Sequence, residues 1–182
     1  MEGIQMPFLI YYVAASIDGY IADANGGVDW LYTIEPGSGN TKYEEFYENI
    51  DSLIMGRTTY EVVRRFGVWP YTGKPCWVMT SRNISAPVQG VVISSSSPEA
   101  VLEEIRQQHL SNTWLVGGGK LAKSFHDLGL ITEYYINVMP YILGSGIPLF
   151  EPGGSAQKLI LKESKTGSSG MVELIYTPVR KV

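Results

Sequence analysis

The sequence predicts a single α/β domain over residues 1–182, a three-layer α/β/α sandwich around a mostly parallel mixed sheet closed by a C-terminal hairpin. Two observations predict it. Strand-like and helix-like segments alternate through roughly the first 130 residues, which implies crossovers between parallel strands. The last two strand-like segments, 157–165 and 171–178, are joined by Thr166-Gly-Ser-Ser-Gly170, the composition of a hairpin connection. A hydrophobic fraction of 45% and a charged fraction of 18% supply a core of ordinary size, and neither a repeat nor a linker divides the chain.

Phe8-Leu-Ile-Tyr-Tyr-Val-Ala-Ala-Ser16 is a continuous apolar run of aromatic and branched residues, the pattern of a central strand covered on both faces. Asp23-Ala-Asn-Gly-Gly27 and Pro36-Gly-Ser-Gly-Asn40 are turn and loop chemistry. Residues 41–50 place Tyr43, Phe46, Tyr47 and Ile50 at helical spacing, with Glu44, Glu45 and Glu48 elsewhere on the turn. Strands follow at 52–55, 75–80, 91–93, 113–116 and 133–139, and helices at 58–66, 98–109 and 120–127. Pro98 followed by Glu99 marks a helix start, because proline is tolerated in the first turn.

The formal charge of −4 comes without a basic block, so no nucleic-acid partner is expected. Cys76 is the single cysteine, which excludes an internal disulfide, and two histidines without neighbouring cysteines do not make a zinc site. The apolar run at the N-terminus lacks a basic leader, and no segment reaches the about 20 apolar residues of a membrane span. No metal, no membrane and a cytoplasmic location are the expectations.

Three strand ends carry the chemistry. At Ile54-Met-Gly-Arg-Thr-Thr-Tyr60 a glycine permits close approach of the backbone, a helix N-terminus offers free N–H groups, and Arg57 adds a forked cation. Leu115-Val-Gly-Gly-Gly-Lys-Leu-Ala122 puts three glycines before a helix, where N–H groups can press against a pyrophosphate. Thr80-Ser-Arg-Asn83 sets hydroxyls and a guanidinium where a 2′-phosphate could sit. Each alone also suits a plain turn. All three fall at the carboxyl ends of strands in one parallel sheet, where ligands of open α/β sheets bind. Gly117-Gly-Gly119-Lys-Leu-Ala122 also fits a Gly-x-Gly-x-x-Ala dinucleotide fingerprint, but that fingerprint opens a first βαβ unit and here it falls late.

These segments resemble the dihydrofolate-reductase-like superfamily, and more closely its branch with the reductase domain of bacterial riboflavin biosynthesis. The resemblance runs from about Leu9 to Tyr176. It is carried by Ala15-Ser-Ile-Asp-Gly19 with Ile21-Ala22, Gly27-Val-Asp-Trp30, the two glycine junctions, and Pro140-Tyr-Ile-Leu-Gly-Ser-Gly-Ile-Pro-Leu-Phe150. It implies NADPH as cofactor, with Gly56, Arg57, Thr58 and Thr59 on its phosphates and Thr80, Ser81 and Arg82 on the 2′-phosphate. Gly117, Gly118, Gly119, Lys120 and Leu121 would meet the pyrophosphate. Ala14, Ala15 and Ile17 would flank the nicotinamide, and the loop 18–30 would close over it. Homodimers are usual in that branch, and the strand 133–141 is the expected contact.

Two departures from the family leave the substrate open. Dihydrofolate reductases carry a carboxylate near the start of the helix after the loop, and residues 40–43 hold no acid. The riboflavin-pathway reductase has a lysine where Tyr12 stands and a glutamate where Gly117 stands. Asp18 is the candidate catalytic residue, as a substrate contact or proton relay, although Asp-Gly is also an ordinary turn pair. Tyr12, Trp30, Phe46 and Tyr47 are the candidates for a flat aromatic substrate pocket, and their spacing equally suits core packing. Tyr60 and Tyr135 stand beside Tyr12 as possible phenol donors. The expected reaction is hydride transfer to a C=N or C=O bond of a small heterocyclic or sugar-phosphate substrate, as in 5-amino-6-(5-phosphoribosylamino)uracil reductase. Dihydrofolate reduction proper and nucleotide binding without turnover are the alternatives.

Overall fold

Side chains that alternate across short strands, apolar on both sides, build the centre of the molecule. In the computed structural model, which describes residues 7–34, 41–84 and 88–179, β1 is Phe8–Ser16 and β2 is Tyr20–Ala22. Then come α1 (Thr41–Glu48), β3 (Ser52–Gly56), α2 (Arg57–Arg64), β4 (Cys76–Met79), β5 (Val91–Ser94) and α3 (Pro98–Gln107). The chain continues through β6 (Asn112–Gly117), α4 (Gly119–Asp127), β7 (Glu133–Met139), β8 (Ile147–Pro148), β9 (Leu159–Thr166) and β10 (Val172–Pro178). The loop expected at 36–40 lies outside the described residues.

The main sheet has the order β5-β4-β3-β6-β1-β7-β10-β9. Every pair from β5 to β7 is parallel, and β10 and β9 add an antiparallel hairpin beyond β7. Leu9, Tyr11, Ile54, Trp77 and Leu115 point to one face, covered by Val101, Leu102 and Ile105 of α3 and by Ala122 and Phe125 of α4. Ile10, Leu53, Met55, Val78 and Trp114 point to the other, under Tyr60 and Val63 of α2 and the aromatic side of α1. The expected three layers are therefore present. Cys76 belongs to this second core, and burial pushes its thiol up to about 12.

Local chemistry explains the element ends. Ser97 accepts the Ala100 N–H at 3.3 Å and Pro98 fills the first position, so α3 starts where Pro98 predicts. Asp51 Oδ2 accepts the N–H groups of Ser111 and Asn112 at 2.9 and 2.8 Å, which fixes β3 against β6 at their amino ends. α2 begins at Arg57, directly out of β3, and not one residue later as expected.

A two-stranded ribbon of β2 and β8 is the element that the sequence pattern does not announce. Strands of three and two residues are too short to show a period. Gly146 makes the pairing possible: its φ is +157°, and a Cβ there would stand 2.1 Å from the Ala22 carbonyl oxygen.

Leu115 is fully buried and Ile160 is half exposed. Leu115→Ala is expected to cost about 2–5 kcal/mol in urea unfolding, and Ile160→Ala less than about 0.5 kcal/mol. Equal costs would contradict a core centred on β6.

Candidate active site

Parallel pairing brings the carboxyl ends of β1, β3, β4 and β6 to one edge of the sheet, and a cleft of about 720 Å³ opens there. Its walls include the first turns of α2 and α4, the turn after β4, and Ile21 and Ile147 of the β2–β8 ribbon. A shallower depression of about 420 Å³ lies at the opposite, amino ends of the strands, between α1 and the β7–β10 pair. It contains none of the three glycine or cation junctions, so the larger cleft is the candidate site.

The junctions face one another. A Cβ on Gly56 would lie 3.9 Å from the Gly117 carbonyl oxygen, and one on Gly118 would lie 3.7 Å from Thr59 Oγ1. Gly56 and Gly118 are the N-caps of α2 and α4 and have no side chain with which to cap them. The first N–H groups of both helices therefore lack side-chain acceptors, an arrangement suited to anionic oxygens. Gly117 adopts φ +142°, which a side chain would disfavour, and the Gly117–Gly118 peptide is cis. At Gly119 a Cβ would stand 2.1 Å from the Pro148 carbonyl oxygen, so only glycine lets β8 pass over the start of α4.

Three cations line the cleft. Arg57 Nη1 is paired with Glu61 Oε1 at 2.7 Å along α2. Arg82 and Lys120 are exposed and form no ion pair among the described residues. The turn that presents Arg82 is set by its own N–H donating to Thr80 Oγ1 at 3.1 Å.

The cleft brings together Tyr12, Ala14, Gly56, Arg57, Thr58 and Thr59 with Thr80, Ser81 and Arg82 and with Gly117, Gly118, Gly119, Lys120 and Leu121. Eight sequence expectations fall elsewhere. Ala15 is one step past Ala14, on the opposite face of β1, and is buried. Ile17 is 63% exposed, with its N–H donated to the Tyr141 carbonyl. Asp18 lies outside the cleft lining. It accepts the Ser16 hydroxyl at 2.6 Å and the Leu143 N–H at 3.1 Å on Oδ1, and the Gly144 N–H at 2.7 Å on Oδ2. These bonds, the Ser16 hydroxyl foremost, hold its carboxyl below the ordinary 3.8.

Trp30 is buried against Tyr141, with ring centroids 5.4 Å apart. Phe46 packs on Tyr12 at 4.5 Å and faces the shallower depression. Tyr47 stacks on Tyr43 at 6.1 Å and tilts against Tyr71 at 6.2 Å. Helical spacing finds the face that α1 turns to the sheet, and that face is core, not cleft. Tyr60 and Tyr135 are likewise held in aromatic packing, Tyr60 on Trp69 and Tyr135 on Tyr12 and Phe46.

Several lining residues were not singled out from the sequence. Val62 and Phe66 follow Thr58 by four and eight positions, a helical stripe that was visible in principle. Tyr71 and Trp114 line the inner end beside Tyr12, whose hydroxyl accepts from Asn137 Nδ2 at 3.2 Å. Burial pushes the Tyr71 phenol well above its usual range. Glu151 is the one carboxylate among the described lining residues. Glu44 and Glu45 of α1 are exposed, and Glu45 faces the other depression. Among the described residues no group of three His, Cys, Asp or Glu could hold a metal ion, and no helix is long and apolar enough to cross a membrane.

The mostly parallel sheet, the closing hairpin and a cleft at the carboxyl edge define a protein of the dihydrofolate-reductase-like fold. Dihydrofolate reductase of Enterococcus faecalis, solved with NADP(H), superposes with a TM-score of 0.66 over 95% of this chain and 97% of that one, at 17% identity. A protein assigned to riboflavin biosynthesis in Shewanella sp. PV-4 superposes with a TM-score of 0.86 at 28% identity, over 95% of this chain and 99% of that chain. The uncharacterized protein YwjB of Bacillus subtilis is 39% identical over 157 residues, 86% of this chain and 90% of that protein. The sequence pattern of the RibD C-terminal domain matches residues 7–173, and the chain belongs to this family of reductases.

Two substitutions test this geometry. Asp18→Asn should lower the melting temperature at pH 7. Because the folded carboxyl titrates below 3.8, the wild-type advantage is full above that pH and fades as the pH falls through the depressed value. A difference independent of pH would contradict the hydrogen-bonded carboxylate. Gly119→Ala must move Pro148 and should cost about 1–3 kcal/mol in thermal unfolding. An unchanged melting temperature would show that β8 does not press on α4.

Proposed function

We propose that the chain is an NADPH-dependent reductase that transfers hydride to a C=N or C=O bond of a small heterocyclic or sugar-phosphate substrate. The observation that carries this reading is the convergence of the two uncapped helix starts and the Thr80–Arg82 turn on one cleft. The residues present fit the cofactor: Gly56, Gly117 and Gly118 carry no side chain on the cleft wall, with no atom closer than 3.7 Å to where a Cβ would stand, and Arg82 and Lys120 line the same cleft. Similar structures agree with this reading, one solved with NADP(H) and another, of Thermotoga maritima, a deaminase combined with 5-amino-6-(5-phosphoribosylamino)uracil reductase.

NADPH when bound supplies the hydride. The chain supplies position and exclusion of water. N–H groups at the starts of α2 and α4 hold phosphate oxygens, with Arg57 and Lys120 beside them. Thr80, Ser81 and Arg82 hold a 2′-phosphate and thereby select NADPH over NADH. Val13, Ala14, Ile21 and Ile147 offer an apolar wall to the reacting ring. Tyr12, Tyr71 and Trp114 form the inner end, where a flat substrate can lie against the rings.

A second reading, cofactor binding without turnover, is favoured by one observation: no carboxylate of α1 is among the described lining residues. NADPH oxidation assayed against a panel of pterins and ribosylaminopyrimidines separates the two.

Trp114 lines the cleft, so its fluorescence reports binding. NADPH is expected to bind more tightly than NADH. Arg82→Ala should weaken NADPH by about tenfold or more and leave NADH nearly unchanged. Saturable binding of neither nucleotide would overturn the reductase reading.

A further inference from the structure

We infer that Glu151 receives a vicinal diol, the two neighbouring hydroxyls of a ribose, beside the glycine turn of the cleft; this role rests on the reductase reading above. Of the described residues that line the cleft, three are cations and Glu151 alone is an acid. A carboxylate beside a phosphate-binding turn works against the phosphate unless some other part of the ligand uses it.

Position 151 is not free to turn away. Its N–H donates to the Gly119 carbonyl at 3.3 Å, inside the first turn of α4. Two residues earlier, the Leu149 N–H donates to Gly19 at 2.9 Å and the Leu149 carbonyl accepts the Tyr11 hydroxyl at 2.9 Å. Phe150 packs on Tyr11 and His126, with centroids 5.4 and 5.3 Å away. Pro148 lies against Gly119 with no space for a Cβ. The segment therefore presents Glu151 to the cleft from a fixed backbone.

The side chain of Glu151 makes no hydrogen bond or ion pair among the described residues, and Lys123 of α4 is paired with Asp127 at 2.6 Å. A carboxylate is an acceptor with two oxygens. Phosphate oxygens give it no donor. The edge of a flat ring would donate, but the flat, aromatic part of the cleft is at Tyr12, Tyr71 and Trp114, which pack with the second core, Trp114 four residues of strand before Gly118, whereas Glu151 is bonded to Gly119. What remains between a phosphate turn and an aromatic end is sugar, and the two hydroxyls of a ribose match the two oxygens of the carboxylate. The ribose belongs either to the nicotinamide half of the cofactor or to the substrate.

Fluorescence titration of wild type, Glu151→Gln and Glu151→Ala with NADPH and with 2′,5′-ADP, which lacks the nicotinamide ribose, tests the first source. A ribosylaminopyrimidine and its free base, titrated into NADPH-saturated protein, test the second. If the cofactor supplies the diol, Glu151→Ala weakens NADPH by about tenfold, Glu151→Gln by less, and 2′,5′-ADP is unchanged. If the substrate supplies it, both nucleotides are unchanged and only the ribosylated ligand weakens, again by about tenfold. Unchanged binding of every ligand overturns the inference alone. So does tighter binding of NADPH and 2′,5′-ADP together, which would make Glu151 only a repelling charge. A wild type that binds neither nucleotide overturns the reductase reading and this inference with it.

Discussion

Parallel hydrogen bonding of β1 to β6 on one side and to β7 on the other is the constraint on which the rest of the molecule depends. A parallel neighbour cannot be reached by a tight turn, so the chain must cross over the sheet each time it returns. Those crossings place α1 and α2 on one face and α3 and α4 on the other. They also force every parallel strand to end at the same edge. Gly56 and Gly117 thus arrive side by side although they are far apart in the chain, and the cleft is a product of strand direction before any side chain contributes.

The second wall of the cleft is made by chain that follows the parallel part of the sheet. After β7 the backbone turns back, is caught by the Asp18 carboxylate at Leu143 and Gly144, and pairs with β2. Tyr11, from the middle of β1, reaches the Leu149 carbonyl, and His126 of α4 bridges the Tyr134 hydroxyl at 2.9 Å and the Ser155 carbonyl at 2.7 Å. A central strand and a cleft helix therefore both hold the same strap. Asp18 fastens this strap and is not itself among the residues that line the cleft.

Much of this was legible in the sequence because burial on both faces leaves an unmistakable trace. β1 and β7 have the bounds their apolar runs predict, and the glycine junctions fall at the ends of β3 and β6. What was not legible depends on contacts between distant segments. Nothing local distinguishes Ala14, which lines the cleft, from Ala15, which does not; only the phase of the strand relative to the helices decides. Phe46 and Tyr47 show the spacing of a buried face, and that spacing is silent about whether a ligand or Trp114 fills the space opposite. Tyr71 and Glu151 carry no motif, and their place in the site comes from loops closed by Gly146 and Gly119 and by aromatic packing.

The burial of Cys76 has a practical consequence. The chain's single thiol is fully enclosed and held in its protonated form far above neutral pH, so alkylating probes and mild oxidants have no thiolate to meet. A cysteine introduced at an exposed position such as Tyr32 or Ile142 would be the molecule's one reactive sulfur. The native protein is in effect a blank background, on which a spin label or fluorophore at either position can report its surroundings without first removing anything from the core.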